Sequence, residues 1–500
     1  MSQGQRSDAV TVAVGGSLVL AASLGDRALR LVVTWLLSTA LGPEIFGSYT
    51  FAVTVATIVA AFGPVGVDRG AVYFGARYRQ SKSWSKLRGL LQSTLVISMC
   101  SAVVCAISLH LCGPLISQED SGAISIAALG AGFWIPLLTL AGQLRAYKDM
   151  KGFALTNHMI TPAIMSIGAI AVYIGLGGIE LALHSFWVAI AISTTVALVR
   201  MWPRVNALKN LTSEIENDWG ALLRYSVPLC FTALLFRLNL WMDIIMLGVL
   251  SDNTEVGLYK IMSALAMLAG IPVSALITIF NPIISEHIER KALTELNALL
   301  KTVTRWLIVI SIPIIFGMLL LTELVLWPFD SEYMVGENAL IILLFGQVVW
   351  VACSPAMRIV PMSGYSMLTL GNSTGAAVLN IGLNSWLIPK YGATGAAIAT
   401  ASTLCTWSLW RIGETWWISR CFPFNGRAVG LLVTSTAATC GLLWFGQEDS
   451  LIHRLAYTVI ILTLFYLYAR YRLLNPSDMD IGQHIKSKLT QKFTRKKADS

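Results

Sequence analysis

Long apolar runs alternate with short polar connectors along almost the whole chain. A run of about 20 residues with few charges is long enough to cross a bilayer as a helix. Fourteen such runs are readable: 14–40, 47–67, 89–112, 122–144, 154–176, 181–201, 225–250, 257–281, 304–326, 339–361, 366–388, 393–413, 428–446 and 451–469. The pattern predicts an all-α polytopic membrane protein. Prolines interrupt several runs (Pro64, Pro136, Pro162, Pro228, Pro272, Pro313 and Pro355), and each removes a backbone hydrogen bond and permits a kink.

The connectors carry charge of opposite sign on the two sides. If the N-terminus is cytoplasmic, inward loops hold Arg77, Arg79, Lys82, Lys86 and Arg88, then Arg145, Lys148 and Lys151, then Arg200, Arg204, Lys209 and Arg224. Outward loops hold Glu44, Glu119, Asp120, Asp252, Glu255, Asp330, Glu332 and Glu337. This is the positive-inside distribution. An even number of spans returns the C-terminus to the same side, so both termini are expected in the cytoplasm. The last segment, from Arg470 to Lys497, has eight basic residues against Asp478 and Asp480, as suits a solvated tail that touches anionic lipid.

Composition agrees with this picture: of 500 residues 55% are hydrophobic and 13% charged, and mean hydropathy is +0.68, outside the range of soluble domains. The net charge of +9 is accounted for by loop topology, and no nucleic-acid partner is expected. The eight cysteines form no CxxC pair and have no histidine at ligand spacing, so they read as inert helix-packing residues. There is no HExxH, phosphate-binding glycine loop or GxSxG. The longest internal connectors, 202–224 and 282–303, are too short for a catalytic domain. An ATP-driven pump, an enzyme and a bound cofactor are therefore not expected. The first run continues past Asp26 and Arg27 without a strongly basic start, so it reads as a membrane helix, not a cleavable signal.

One pattern occurs twice. Arg27 precedes Gly47 and Tyr49 as Arg237 precedes Gly257 and Tyr259, at a constant offset of 210 residues. In each copy the arginine lies well inside an apolar run, where a charge is costly unless it faces a polar interior. Internal repeats with a midplane site are the signature of a transporter. The expected organisation is an N-terminal lobe (1–205, spans 1–6), a connector (206–224), a C-terminal lobe (225–415, spans 7–12), two further spans (416–469) and the basic tail (470–500).

Few charges lie within the spans: Asp26, Arg27, Arg30, Arg237, Asp243 and Lys260. Asp26 and Arg30 are four apart and can pair along one helix, but one carboxylate does not neutralise both Arg27 and Arg30. Arg237 and Asp243 are six apart, about 240° around a helix, and do not pair within it. A water-filled cavity between the halves is the expected surrounding of Arg237. Lys260 either reaches that cavity or snorkels to the outer surface. Guanidinium groups stay charged and offer a planar fork to phosphate oxygens, so an anionic substrate is expected.

The stretch NIGLNSWLIPKYGATGAAIAT (380–400), marked by Asn380, Asn384, Pro389, Tyr391, Gly392, Gly395 and Ala396, resembles the signature near the eleventh and twelfth spans of Wzx-type O-antigen and exopolysaccharide flippases. LGPEIFGSYTFA from Leu41, RYSVPL from Arg224, RLNLWMDIIMLG from Arg237 and VGLYKIMSALAMLAGIPVSAL from Val256 are similar to the same family. The resemblance covers most of the spans. It implies the fold of the multidrug/oligosaccharidyl-lipid/polysaccharide superfamily, with two six-helix lobes and two additional C-terminal helices. It also implies translocation of undecaprenyl-diphosphate-linked oligosaccharides from the cytoplasmic to the outer leaflet of a bacterial inner membrane, beside the polymerase and glycosyltransferases of the same pathway.

The residues themselves assign the glycine-rich stretch, and Gly47, Tyr49, Gly257 and Tyr259, to close helix packing. Arg27, Arg30, Arg237 and Lys260 are the expected diphosphate ligands, Asp26 and Asp243 the candidate ion-coupling groups, and Arg77, Arg79 and Arg224 the cytoplasmic mouth. Two other readings remain open: a cation-coupled multidrug antiporter on the same fold, with Asp26 as its protonatable site, and a membrane-embedded polysaccharide polymerase. The arginines disfavour a cationic drug, and the short outer loops disfavour a polymerase.

Overall fold

The computed structural model describes residues 3–212, 214–445 and 451–473. Its helices are α1 (Gln3–Phe62), α2 (Val67–Gln80), α3 (Trp84–Ile116), α4 (Ser121–Ala146), α5 (Met150–Ala154), α6 (Thr161–Tyr173), α7 (Ile179–Leu211) and α8 (Trp219–Leu250). They continue as α9 (Asn253–Leu268), α10 (Ile271–Glu289), α11 (Leu293–Leu320), α12 (Thr322–Leu326), α13 (Glu337–Cys353), α14 (Ile359–Met362), α15 (Ser366–Ser419), α16 (Gly426–Phe445) and α17 (Leu451–Tyr468). Among the described residues there are no strands. The protein is an all-α multi-pass membrane protein. Beyond the turn Ala469–Leu473, the basic tail expected over 470–500 lies outside the described residues.

Among the described residues nine helices are long and apolar enough to cross a membrane, or ten if α9 and the start of α10, bent by 48°, form one span. The fourteen expected spans do not map one to one onto these. Spans 1 and 2 run together as α1, and spans 11 and 12 as α15, each broken at one glycine: Gly42 (φ 71, ψ 169) and Gly392 (φ 52, ψ −130). Both φ values lie in the region that favours glycine. Pro389, which falls between the expected spans 366–388 and 393–413, stays inside α15, and the break falls three residues later.

Contacts divide the chain into two compact units. The first comprises the chain to Ala264 with Leu326–Ala339 and Ser373–Ala399; the second comprises the remainder. In the first unit α4 is the central helix, packed on α3, α7, α2 and α1. Its Ala127, Ala128, Gly130 and Ala131 are buried, and small residues let helix backbones approach closely in a membrane. Gln143 Nε2 donates to Leu91 O and Thr94 Oγ1, both at 3.0 Å, tying α4 to α3. In the second unit Phe316 of α11 meets Phe465 of α17 edge-on at 6.3 Å. There Arg411 Nη2 donates to Met357 O (2.7 Å) and Thr415 Oγ1 to Ala356 O (2.9 Å), satisfying carbonyls at the helix break around Pro355.

The repeat reappears as a reciprocal contact within the first unit. A Cβ on Gly47 would fall 1.7 Å from Asn253 O, and one on Gly257 would fall 2.1 Å from Pro43 O. Pro43 and Asn253 are themselves 210 residues apart, so each glycine abuts the counterpart of its own neighbour. A two-fold relation between repeats produces this pattern. Both glycines are there because backbone lies where a side chain would be.

Candidate functional site

The site forms in the first unit around the N-terminal half of α1. Asp26 and Arg30 share one helical face, and Arg30 Nε donates to Asp26 Oδ1 at 2.7 Å. The chain between α5 and α6 widens into a π turn, Leu155–Ile160, a feature common at functional sites. It presents Asn157 and His158. His158 Nδ1 stands 3.6 Å from Asp26 Oδ2.

These residues line a cavity of about 210 Å³, together with Trp134, Leu137 and Leu138 of α4, Phe153 of α5, Thr161 of α6, Ile190 of α7 and Arg237 of α8. Arg237 stacks its guanidinium 5.4 Å from the Trp241 ring centroid and lies in the field of Asp68 and Arg69 at the start of α2. The cavity wall thus carries two guanidinium groups and one carboxylate, with the His158 imidazole, the Asn157 amide and the Thr161 hydroxyl on an otherwise apolar surface. That charge balance suits an anion, and the polar groups are few and convergent, as in small-molecule sites generally.

The other expected ligands fall differently. Arg27, the repeat counterpart of Arg237, is exposed and does not line the cavity; Arg30, one turn on, takes that place. Lys260 is half-buried and close enough to Arg30 for the two cations to repel, but it does not line the cavity either. Of the arginines expected at the mouth, Arg77 and Arg224 are exposed. Arg79 is engaged: Nη1 donates to Ala146 O at 2.7 Å, and its guanidinium lies 4.9 Å over the Tyr147 ring.

Asp243 forms a separate centre. It is 6% exposed and accepts from Tyr259 Oη at 2.7 Å, Asn380 Nδ2 at 3.0 Å and Asn384 Nδ2 at 2.7 Å. Asn384 Nδ2 also donates to Asn380 Oδ1 at 3.0 Å. Tyr259 and the two asparagines, read from sequence as packing and family marks, are therefore partners of the second-repeat carboxylate. Just beyond this segment, Ala393 N donates to Glu255 Oε2 at 2.5 Å, capping the half of α15 that begins after Gly392.

A third carboxylate organises the loop before α5. Asp149 accepts from Gly152 N (2.8 Å) and pairs with Arg204 Nη2 (2.6 Å) and Arg200 Nη1 (3.3 Å). Burial opposes its ionisation, but the Gly152 N–H and Arg204 outweigh burial and hold the carboxyl below its ordinary range. Sequence reasoning missed His158, Asn157 and Trp134. His158 lies 132 residues from Asp26, and only helix packing brings the two together.

Residues 12–288, more than half of the chain, match the family described as polysaccharide biosynthesis protein. The chain belongs to that family. Among curated proteins, the probable low-salt glycan biosynthesis flippase Agl15 of Haloferax volcanii is 27% identical over 168 residues. That match spans 34% of the relative and 32% of this polysaccharide biosynthesis protein. Among solved structures, the lipid II flippase MurJ in an inward closed conformation superimposes with a TM-score of 0.69 at 15% identity, over 90% of this chain and 97% of that one. A multidrug resistance MATE family transporter of the MOP superfamily, inward-facing, gives 0.65 at 14% identity, over 78% and 94%. At such identities the likeness is one of fold: the all-helical architecture of this chain is that of the MurJ and MATE structures.

Proposed function

We propose that the protein is a flippase that translocates undecaprenyl-diphosphate-linked oligosaccharide repeat units from the cytoplasmic to the outer leaflet, for O-antigen or exopolysaccharide synthesis. It works by alternating access around the cationic cavity and catalyses no covalent step. The observation that carries the reading is the cavity in which Arg30 and Arg237 face one carboxylate, in a chain of the polysaccharide biosynthesis family. Guanidinium groups in a low-dielectric wall are suited to phosphate oxygens, while the lipid tail stays in the bilayer. Arg27 and Lys260 add positive potential nearby, and Arg77 and Arg224 attract the anion to the mouth. Asp26 and Asp243 are the proposed coupling groups; Asp243 joins α8, α9 and α15, so a change in its charge would move those helices. On this reading it works in the bacterial cytoplasmic membrane with both termini inside, beside the polymerase and glycosyltransferases of its pathway.

The antiporter reading draws support from the fold shared with MATE transporters and from Asp26 in the cavity wall. Against it, Asp26 is already paired with Arg30, and Arg237 adds a net positive charge that repels a cationic drug. In cells, Arg237→Ala is expected to abolish surface polysaccharide at normal protein abundance without changing efflux of a fluorescent cation. Unchanged polysaccharide, or efflux that depends on Asp26, overturns the assignment.

A further inference from the structure

The cavity holds its own anion. Arg30, the proposed phosphate ligand, gives its Nε–H to Asp26 at 2.7 Å, so a phosphate that takes the Nε side of the guanidinium fork leaves a carboxylate, itself 15% exposed, without its partner. Such a charge is costly to strand. A second acceptor for Asp26 stands on the other side. His158 Nδ1 is buried, makes no hydrogen bond, and lies 3.6 Å from the Asp26 oxygen that Arg30 does not use. A movement of about 0.8 Å brings that pair to charge-assisted hydrogen-bond distance.

We propose that His158 is a proton-operated positioning residue: protonated, it takes Asp26 away from Arg30 and frees the guanidinium for phosphate oxygens. This rests on the anion-site reading above and adds its regulation. The charged groups that line the cavity with His158 are Asp26 and Arg30 from α1 and Arg237 from α8, while Lys151 of α5 is exposed and does not line it. Arg145 of α4 acts through Phe153, whose ring takes that guanidinium at 5.1 Å and meets His158 edge-on at 5.6 Å. The cavity residues of α6 and α7, Thr161 and Ile190, are uncharged, and Arg200 and Arg204 of α7 are engaged by Asp149.

With His158 neutral, the wall sums to +1: Arg30 and Arg237 against Asp26. With His158 protonated it sums to +2 and matches a disubstituted diphosphate. The proton comes from solvent and is taken up with the anion. By linkage, an anion that favours His158 in its charged form binds more tightly as pH falls and more weakly as pH rises, by up to about tenfold per pH unit. The π turn fits this role, because a widened turn lets a side chain shift without breaking the flanking helices.

The test is calorimetric binding of UDP-glucose, a soluble disubstituted diphosphate with no proton to lose between pH 5 and 8, to the full chain in detergent. Wild-type affinity is expected to fall with rising pH. His158→Gln is expected to bind weakly and His158→Arg tightly, both without pH dependence. Asp26→Asn, with no carboxylate to release, is expected to bind tightly at every pH and shows that the cavity is folded. A wild-type profile that is flat, or a His158→Gln profile that follows wild type, overturns the proposal and leaves the anion site standing if Arg237→Ala still abolishes binding. Binding that is absent in wild type, or indifferent to Arg30→Gln and Arg237→Ala, overturns the anion site itself.

Discussion

Two carboxylates inside membrane helices of one unit have opposite surroundings. Asp26 lines a cavity and is paired with an arginine whose side chain is 42% exposed. Asp243 is almost fully enclosed and is held by a phenol and two amides. The first can exchange partners, because water and an incoming anion can reach Arg30. The second is built into the packing of α8, α9 and α15, and any change of its partners moves helices. Charge in a membrane segment therefore marks two different things, a place for a ligand and a joint between helices, and burial distinguishes them.

The largest expected effect is on the joint. Asp243→Ala leaves Tyr259, Asn380 and Asn384 without their acceptor and is expected to destabilise the protein by about 3 kcal/mol or more, read as a large fall in melting temperature in detergent. Asp26→Ala, which removes a half-exposed pair, is expected to cost under about 1 kcal/mol. Equal losses would erase the contrast. Next comes the repeat contact: Gly47→Ala and Gly257→Ala each place a methyl on backbone and are expected to cost about 1–3 kcal/mol. The two losses should be similar, since the contact is reciprocal, and an effect at only one of them would break the symmetry.

A smaller effect than at the joint or the repeat contact is expected at Asp149, a carboxylate outside the membrane segments. Its folded pKa is held below the ordinary value, so its stabilisation is fully present above about pH 4 and is lost as pH falls through the lowered pKa. Asp149→Asn is expected to lower stability by about 1 kcal/mol at neutral pH. The gap between mutant and wild type should close in acid, as followed by melts across pH.

The all-helical membrane fold was legible because apolar run length and loop charge are local properties of the chain. The repeat was legible too, down to Gly47 and Gly257, since a backbone-on-backbone contact tolerates no side chain and so fixes residue identity. The site was legible only in part. Sequence equivalence paired Arg27 with Arg237, but the face that a helix presents depends on its rotation against neighbours, and one turn separates the exposed Arg27 from Arg30 in the cavity wall. The partners of Asp243 were visible as conspicuous polar residues in an apolar stretch, yet Asn380 and Asn384 lie 137 and 141 residues away from it. His158 carried no signal at all, since a lone histidine in an apolar run gains meaning only when packing sets it beside a carboxylate.

Two arginines in one cavity are the proposed carriers of the diphosphate across the membrane. The most direct measurement is leaflet crossing of a labelled undecaprenyl-diphosphate oligosaccharide in proteoliposomes, with wild type, Arg30→Gln, Arg237→Gln and Arg27→Gln compared at equal reconstitution. The account predicts protein-dependent crossing that falls about tenfold or more in the Arg30 and Arg237 variants and changes little in the Arg27 variant. Crossing at the wild-type rate with both cavity arginines replaced would contradict it.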